Sequence, residues 1–144
     1  MKRLMGWLRP GGWLVVESGD WSTRYEITLS VVFEAVLVAV QKFLTSAGFA
    51  PMFGRRLPVL FGDPDLVEVG CEARSRMVWG GTPEMELFTL TIERVRAAMV
   101  AAGLISDKEV AAALALCADP SFAVMSPALV SAWGRRRSAG AGDR

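Results

Sequence analysis

Acidic and aromatic residues follow the first apolar run of the chain, and they are the side chains best placed to bind a ligand. The run from Trp13 to Glu17 is continuous, which is typical of a β-strand buried on both faces in a parallel sheet. Glu17, Asp20 and Trp21 stand at its carboxyl end. Ligands of open α/β sheets bind outside the carboxyl ends of strands. We therefore expect Glu17, Asp20 and Trp21 to line a substrate-binding site, with a solvated acidic loop packed by Trp21 as the alternative.

The composition narrows the chemistry that these residues can perform. The chain of 144 residues contains no histidine, so it has no Ser-His-Asp triad, no Cys-His pair and no histidine-based metal site. Cys71 and Cys117 lack the spacing of a disulfide framework or a zinc site, and we predict that both are small buried hydrophobic side chains. Catalysis by this chain alone must rest on carboxylates, lysine or positioning, and no residue receives a catalytic role.

Charge and hydropathy exclude further classes of function. Sixteen Lys and Arg against 15 Asp and Glu leave a net charge of +1, which gives no electrostatic case for nucleic acid or an anionic membrane surface. Residues 27–44 approach the about 20 apolar residues of a membrane span, but Glu34 interrupts them. We interpret them as a buried helix, or as a pocket wall formed by Val31, Phe33, Val36 and Phe43. Arg55 and Arg56 are interpreted as a solvated helix start, although they could contact an acidic group of a substrate.

Hydrophobic periodicity predicts an α/β chain with about three strands and several helices. Strands are expected at residues 13–17, 66–79 and 122–133, the last of them containing Pro127. Helices are expected at residues 2–8, 26–47, 55–61, 83–102 after Thr82 as N-cap, and 107–119 after a Ser106-x-x-Glu109 capping box. Gly48 and Gly103 are expected to end two of the helices.

This strand count leaves the first strand short of a neighbour. Its continuous apolar run predicts a central position, whereas residues 66–79 alternate and predict a strand near a sheet edge. If both other strands lie on one side of the first, Val15 and Val16 are left on an open apolar edge, which is a liability for pairing and aggregation. The pattern is that of part of a sheet.

Ordered segments of the chain carry a family resemblance. They are LRPGGWLVVE from Leu8 to Glu17, GRRLPVL at residues 54–60, DLVEV at residues 65–69, and the Ser126-Pro127 and AWGRR stretches at residues 126–127 and 132–136. In this order they resemble the turn and fifth strand, the helix before the sixth strand, the start of the sixth strand and the close of the seventh strand. The family is the class I S-adenosylmethionine-dependent methyltransferases of the small-molecule type.

The resemblance implies a C-terminal half of a Rossmann-like methyltransferase domain. Residues 1–136 would form a single partial domain and residues 137–144 a flexible tail. The family cofactor is S-adenosyl-L-methionine, and the implied partner is a small-molecule methyl acceptor. The glycine-rich loop and the acidic residue that bind this cofactor in the family would precede Leu4, and the single Gly-x-Gly spacing lies at residues 140–142. We therefore expect a truncated protein that lacks cofactor-binding residues and is inactive alone.

Two other functions stay open. The chain could be a non-catalytic interaction module that pairs through its open strand edge with another protein chain. A membrane-associated protein is the third hypothesis, and it rests on residues 27–44 alone. Because Arg9 to Gly12 break the apolar stretch that follows the basic start, no secretory signal is expected, and the expected location is cytoplasmic. The sequence does not identify the methyl acceptor.

Overall fold

The computed structural model describes residues 2–138, which form a mixed α/β fold. The helices are α1 (Lys2–Trp7), α2 (Val31–Ser46), α3 (Leu57–Leu60), α4 (Glu86–Ala101) and α5 (Asp107–Ala118). The strands are β1 (Trp13–Asp20), β2 (Tyr25–Glu26), β3 (Leu66–Arg74), β4 (Met77–Trp79), β5 (Ala123–Met125) and β6 (Ala128–Arg136). Short 3₁₀ turns cover Trp21–Thr23, Gly54–Arg56 and Pro83–Met85.

The chain divides into two compact units. Among the described residues, the first unit is built from residues 2–22, Met52–Ser75 and residues 127–138. Its sheet has the order β1-β6-β3, and β6 is antiparallel to both neighbours. An apolar cluster covers one face of this sheet, and its buried members are Met5, Leu57, Phe61, Leu66, Val130 and Ala132.

The second unit, Thr23–Pro51 with Arg76–Ser126, contains the three longer helices. α2, α4 and α5 pack around a core that includes a second sheet of order β2-β5-β4. Phe33 is fully buried at its centre, with its ring centroid 4.8 Å from that of Phe122 and 6.1 Å from that of Phe88. More of the buried apolar residues therefore belong to this helical core than to the apolar cluster of the first unit.

Local sequence signals place the helix ends well. The capping box of Ser106 and Glu109 opens α5 as predicted, with both of its hydrogen bonds present. Gly48 and Gly103 follow α2 and α4 with φ angles of 93° and 65°, which glycine adopts without steric cost. The predicted start of the second helix at residue 26 is wrong. Ser30 caps α2 by accepting a hydrogen bond from the Phe33 N–H at 3.3 Å.

The prediction of about three strands is wrong because two of the predicted strands are interrupted and because β2 forms where no strand was expected. Residues 66–79 split into β3 and β4, and residues 122–133 split into β5 and β6. Pro127 has no N–H to donate to a ladder, and it separates β5 from β6. β3 and β6 belong to one sheet, whereas β4 and β5 belong to a second sheet.

The prediction that the first strand is buried on both faces of a parallel sheet is also wrong. β1 runs to Asp20, pairs antiparallel with β6, and alternates between exposed and half-buried residues up to Ser18. Trp13 and Val15 are 51% and 61% exposed, so that face of the strand is not buried at these two positions. An unbroken apolar run therefore does not require two buried faces within one chain.

The predicted flexible tail at residues 137–144 begins directly after β6. Gly134, Arg135 and Arg136 lie in β6, and the Arg136 guanidinium donates to the Leu8 carbonyl and, at 3.2 Å, to the Met5 carbonyl. The rest of the predicted tail, including the Gly-x-Gly spacing at residues 140–142, lies outside the described residues from position 139 on. Within residues 2–138, no helix has the length and apolarity needed to cross a bilayer.

Substitution of Gly80 measures how closely the backbone segments of the second unit pack against each other. Its N–H donates to the Phe122 carbonyl at 2.8 Å, and a Cβ atom at this position would lie 1.9 Å from the Asp119 oxygen. We expect Gly80→Ala to lower the free energy of unfolding by on the order of 3 kcal/mol, since backbone must move to admit the methyl group. Gly6→Ala is the control, because open space surrounds Gly6 within α1. Equal chemical denaturation midpoints for the two variants would contradict this packing.

Candidate functional site

The candidate site lies at the carboxyl end of β1, where strand alternation sends the acidic residues to opposite faces. Glu17 pairs in register with Ser131, and Asp20 pairs with Ala128. Because successive side chains of a strand point to opposite faces, Glu17 lies on the open face and Asp20 on the face of the apolar cluster. The two carboxylates therefore do not form a pair.

Asp20 is a buried anchor within the first unit. Its side chain is 6% exposed, and its carboxylate accepts hydrogen bonds from Arg55 Nε at 2.8 Å and Nη2 at 3.2 Å. The Ser22 N–H and hydroxyl donate to Oδ1 of Asp20 at 3.1 and 2.7 Å, the oxygen that also accepts from Arg55 Nη2. These hydrogen bonds, Arg55 first among them, hold the pKa of the Asp20 carboxyl below its ordinary value of 3.8, although burial opposes them.

Arg55 reaches Asp20 because the 3₁₀ turn Gly54–Arg56 sits directly against the end of β1. A Cβ atom on Gly54 would lie 2.6 Å from the Ser18 carbonyl oxygen, so only glycine permits this approach. Leu57 follows at 1% exposure and fixes the turn to the apolar cluster. The Arg55 side chain is 51% exposed. Since it bonds the carboxylate through Nε and Nη2, part of its guanidinium stays accessible to solvent.

Glu17 lies exposed on the open face of the sheet. Its Oε1 accepts a hydrogen bond from the hydroxyl of Ser131, which is 5% exposed. No ion pair of Glu17 occurs among residues 2–138. Glu17 is thus the carboxylate of the site that stays open to a ligand, as a hydrogen-bond acceptor or a proton acceptor.

Trp21 completes the strand end. It opens the 3₁₀ turn Trp21–Thr23, and its ring atoms lie 3.4 Å from the position that a Cβ on Gly19 would occupy. Gly19 and Glu17 share a face by strand alternation, so the indole lies on the open face with Glu17. The structure therefore brings Glu17 and Trp21 to one face and places Asp20 on the other.

Other residues singled out by the sequence take structural positions. Phe33 and Val36 are core residues of the second unit, whereas Val31 is 90% exposed, so these three do not line one apolar wall. The guanidinium of Arg56 lies 5.9 Å from the ring centroid of Phe53. Cys117 is buried as predicted, and its burial raises the pKa of its thiol.

The prediction of a buried Cys71 is wrong. Cys71 pairs with Ala132 but lies on β3, which is an edge strand, and it is exposed. An alternating pattern gives the face of a side chain, but the edge position of the strand decides how much of that face is covered.

The sequence interpretation missed Arg55, Ser22 and Ser131. Arg55 was interpreted as a solvated helix start, yet it bonds a residue 35 positions earlier in the chain. The Arg-Arg pair that follows Gly54 was visible, but nothing local identifies its partner. Among residues 2–138 no group of three or more Cys, Asp or Glu is placed to hold a metal ion. No family model matches the chain, and no curated protein matches it.

Because of Asp20, we expect the free energy of unfolding of the first unit to fall at acidic pH. Because its folded pKa is lowered, its contribution is complete above pH 3.8 and is lost as the pH falls through the folded value. We expect Asp20→Asn to cost about 1–3 kcal/mol near pH 7, since it weakens hydrogen bonds to a buried charge. The difference from the parent should shrink below pH 3.8 in thermal unfolding.

Glu72→Gln is the matched control, because Glu72 pairs with an arginine at an exposed edge and should contribute little. A constant difference between Asp20→Asn and the parent from pH 7 down to pH 2.5 would show that the charge of Asp20 does not stabilise the fold.

Proposed function

We propose that this chain is a methyltransferase-like protein and supplies the later part of a class I S-adenosylmethionine-dependent methyltransferase domain for a small-molecule acceptor. One observation carries the proposal. The segments that resemble strands five, six and seven contribute β1, β3 and β6, and these are the strands that share one sheet. The strands without a counterpart in the resemblance, β2, β4 and β5, form the other sheet.

This agreement is informative because the sequence order does not impose it. β1 and β6 are separated by more than 100 residues, and residues of the second unit come between them. Chain neighbours such as β5 and β6 would be the simpler choice for one sheet, since sequential strands are usually adjacent in space. The resemblance and the observed pairing therefore support each other.

The cofactor does not fit residues 2–138 alone. Binding of a nucleoside cofactor in such folds needs a glycine-rich turn between a strand and a helix, and no Gly-x-Gly spacing occurs in this range. Asp20 is engaged by Arg55 and is 4% exposed, so it cannot also serve a ribose hydroxyl. We assign cofactor binding to a further polypeptide segment, and to this chain the contact with the acceptor through Glu17 and Trp21.

Methyl transfer in this proposal depends on binding and orientation. An acceptor held at the end of β1 would contact the Glu17 carboxylate and the Trp21 ring. Asp20 would not contact it, and its carboxylate holds the Arg55 side chain in place. Proximity and alignment can supply several kcal/mol of the barrier reduction without a protein base. The absence of histidine is compatible with such a reaction.

A non-catalytic interaction module is the second candidate function. The observation that favours it is the pairing of β1 with β6 alone among the described strands. An unpaired strand can bind another chain without any cofactor. In the methyltransferase proposal the bound chain supplies the cofactor-binding residues at the carboxyl end of β1, whereas in the interaction module it supplies none.

Calorimetric titration of S-adenosylmethionine tests the proposal. We expect no saturable heat with the folded chain alone up to millimolar ligand, a range that corresponds to about −4 kcal/mol. The complex isolated with this chain from its native source should bind the cofactor at micromolar concentration. S-adenosylhomocysteine provides the competitive control for the same site.

Each other outcome is decisive. Saturable micromolar binding by the chain alone would overturn the assignment of the cofactor site to another segment. A stable complex that does not bind the cofactor would overturn the methyltransferase proposal and leave the interaction module.

A further inference from the structure

The two edges of the sheet β1-β6-β3 are protected to different degrees. Edge strands of stable proteins carry bulges, charges or proline, because their unpaired backbone groups otherwise recruit other strands. β3 and β1 can be compared row by row, since both pair with β6. Glu17 and Glu72 lie opposite Ser131, and Val15 and Gly70 lie opposite Trp133.

The β3 edge has the features of a strand that stays unpaired. Its register shifts between Val67 and Gly70, and Glu68 within this bulge has a φ angle of 53°. Glu72 and Arg74 form an exposed ion pair of 3.0 Å further along the strand. A bulge and charged side chains together prevent a further strand from docking there.

The β1 edge has none of these features before Glu17. All eight of its residues pair with β6 in one unbroken register. Trp13 and Val15 expose 51% and 61% of their surface, and Asp20 is turned into the apolar cluster and buried. The strand therefore presents a straight apolar edge of the kind that aggregates unless it is covered.

The backbone of this edge is ready to pair. The Arg136 N–H donates to the Gly12 carbonyl at 2.8 Å, while the Arg136 carbonyl accepts from the Gly11 N–H at 2.9 Å, so Gly12 and Arg136 form one half of a hydrogen-bonded pair of the ladder. In antiparallel pairing such pairs alternate, so Leu14, Val16 and Ser18 direct their backbone groups to β6. Trp13, Val15 and Glu17 consequently direct their N–H and C=O groups away from β6. The first sheet has no further strand in the described chain to meet them.

The open face continues the apolar surface of the edge. Leu129, 43% exposed, lies opposite Gly19, and the half-buried Trp133 lies opposite Val15. A second copy paired antiparallel through β1 would add its own Trp13 and Val15 to this face and leave it uncovered. A different polypeptide can add a strand at the edge together with an apolar element over the face.

From this asymmetry we infer that β1 binds a strand of a different polypeptide. The side chains of the partner strand are apolar beside Trp13 and Val15. Beside Glu17 they are basic or hydroxylic, since an acidic side chain there would repel the carboxylate. The partner also brings an apolar segment that covers Trp13, Val15 and Leu129. The inference deepens the second candidate function by giving the chemistry of the bound strand, and it holds whether or not the partner binds a cofactor.

Site-directed photocrosslinking tests this inference with a matched pair of positions. A photoreactive phenylalanine analogue in place of Glu17 should crosslink to a strand-forming segment of another polypeptide when the full chain is expressed in its native host. The same analogue in place of Glu72, in the equivalent row of the opposite edge, should not. The crosslinked peptide, sequenced by mass spectrometry, identifies the segment to be purified.

Affinity measurements with the purified partner complete the test. Val15→Lys should weaken binding at least tenfold, because a lysine on the edge hinders strand addition, whereas Glu72→Lys should change it less than twofold. Circular dichroism verifies that both variants stay folded, which is expected since both sites are exposed. Crosslinks from Glu17 to a second copy, equal or absent crosslinking at both positions, or unchanged affinity of Val15→Lys would overturn the inference. Cofactor titration of the same complex reports separately on the methyltransferase proposal.

Discussion

Backbone pairing on both sides of β6 is the constraint on which the first unit depends. β6 is the last strand among residues 2–138, yet it lies between β1, which precedes the other strands, and β3. Neither outer strand pairs with the other, so the sheet exists only when β6 has joined both. The apolar cluster of Leu57, Phe61 and Val130 packs against one face of this sheet and leaves the opposite face open. The one-sided sheet and the open edge therefore have a common origin in the position of β6.

A second long-range contact shapes the candidate site. The hydrogen bonds between Asp20 and Arg55 join the end of β1 to the turn at Gly54–Arg56, and Gly54 permits the close approach. Burial alone would raise the pKa of a carboxyl group, but the guanidinium and the Ser22 donors outweigh it. Asp20 is thereby committed to structure, and Glu17 and Trp21 remain as the side chains that a ligand at this strand end would meet.

The sequence predicts correctly the features that depend on contacts between residues close together in the chain. The capping box at Ser106 and the glycines after α2 and α4 act within one helical turn, and the predicted helix ends agree with the structure there. The partner of Arg55 and the exposure of Cys71 depend on residues distant in sequence. Pro127 is expected within a single strand over residues 122–133, whereas in the structure it separates β5 from β6, and these two strands join different sheets. Sequence patterns therefore identified the candidate strand end but could not show that Glu17 and Asp20 face apart.

The open edge and the lack of histidine together limit what the first unit can do alone. A strand with Trp13 and Val15 exposed gains stability from a partner that covers them, so partner binding and folding favour each other. The same event would bring new groups to the carboxyl end of β1, next to Glu17 and Trp21. Glu17 is the carboxylate there without a cationic partner among residues 2–138, and the chain offers no imidazole. Chemistry at this strand end can therefore use the Glu17 carboxylate as a hydrogen-bond or proton acceptor, whereas an imidazole would have to come from a partner or a ligand.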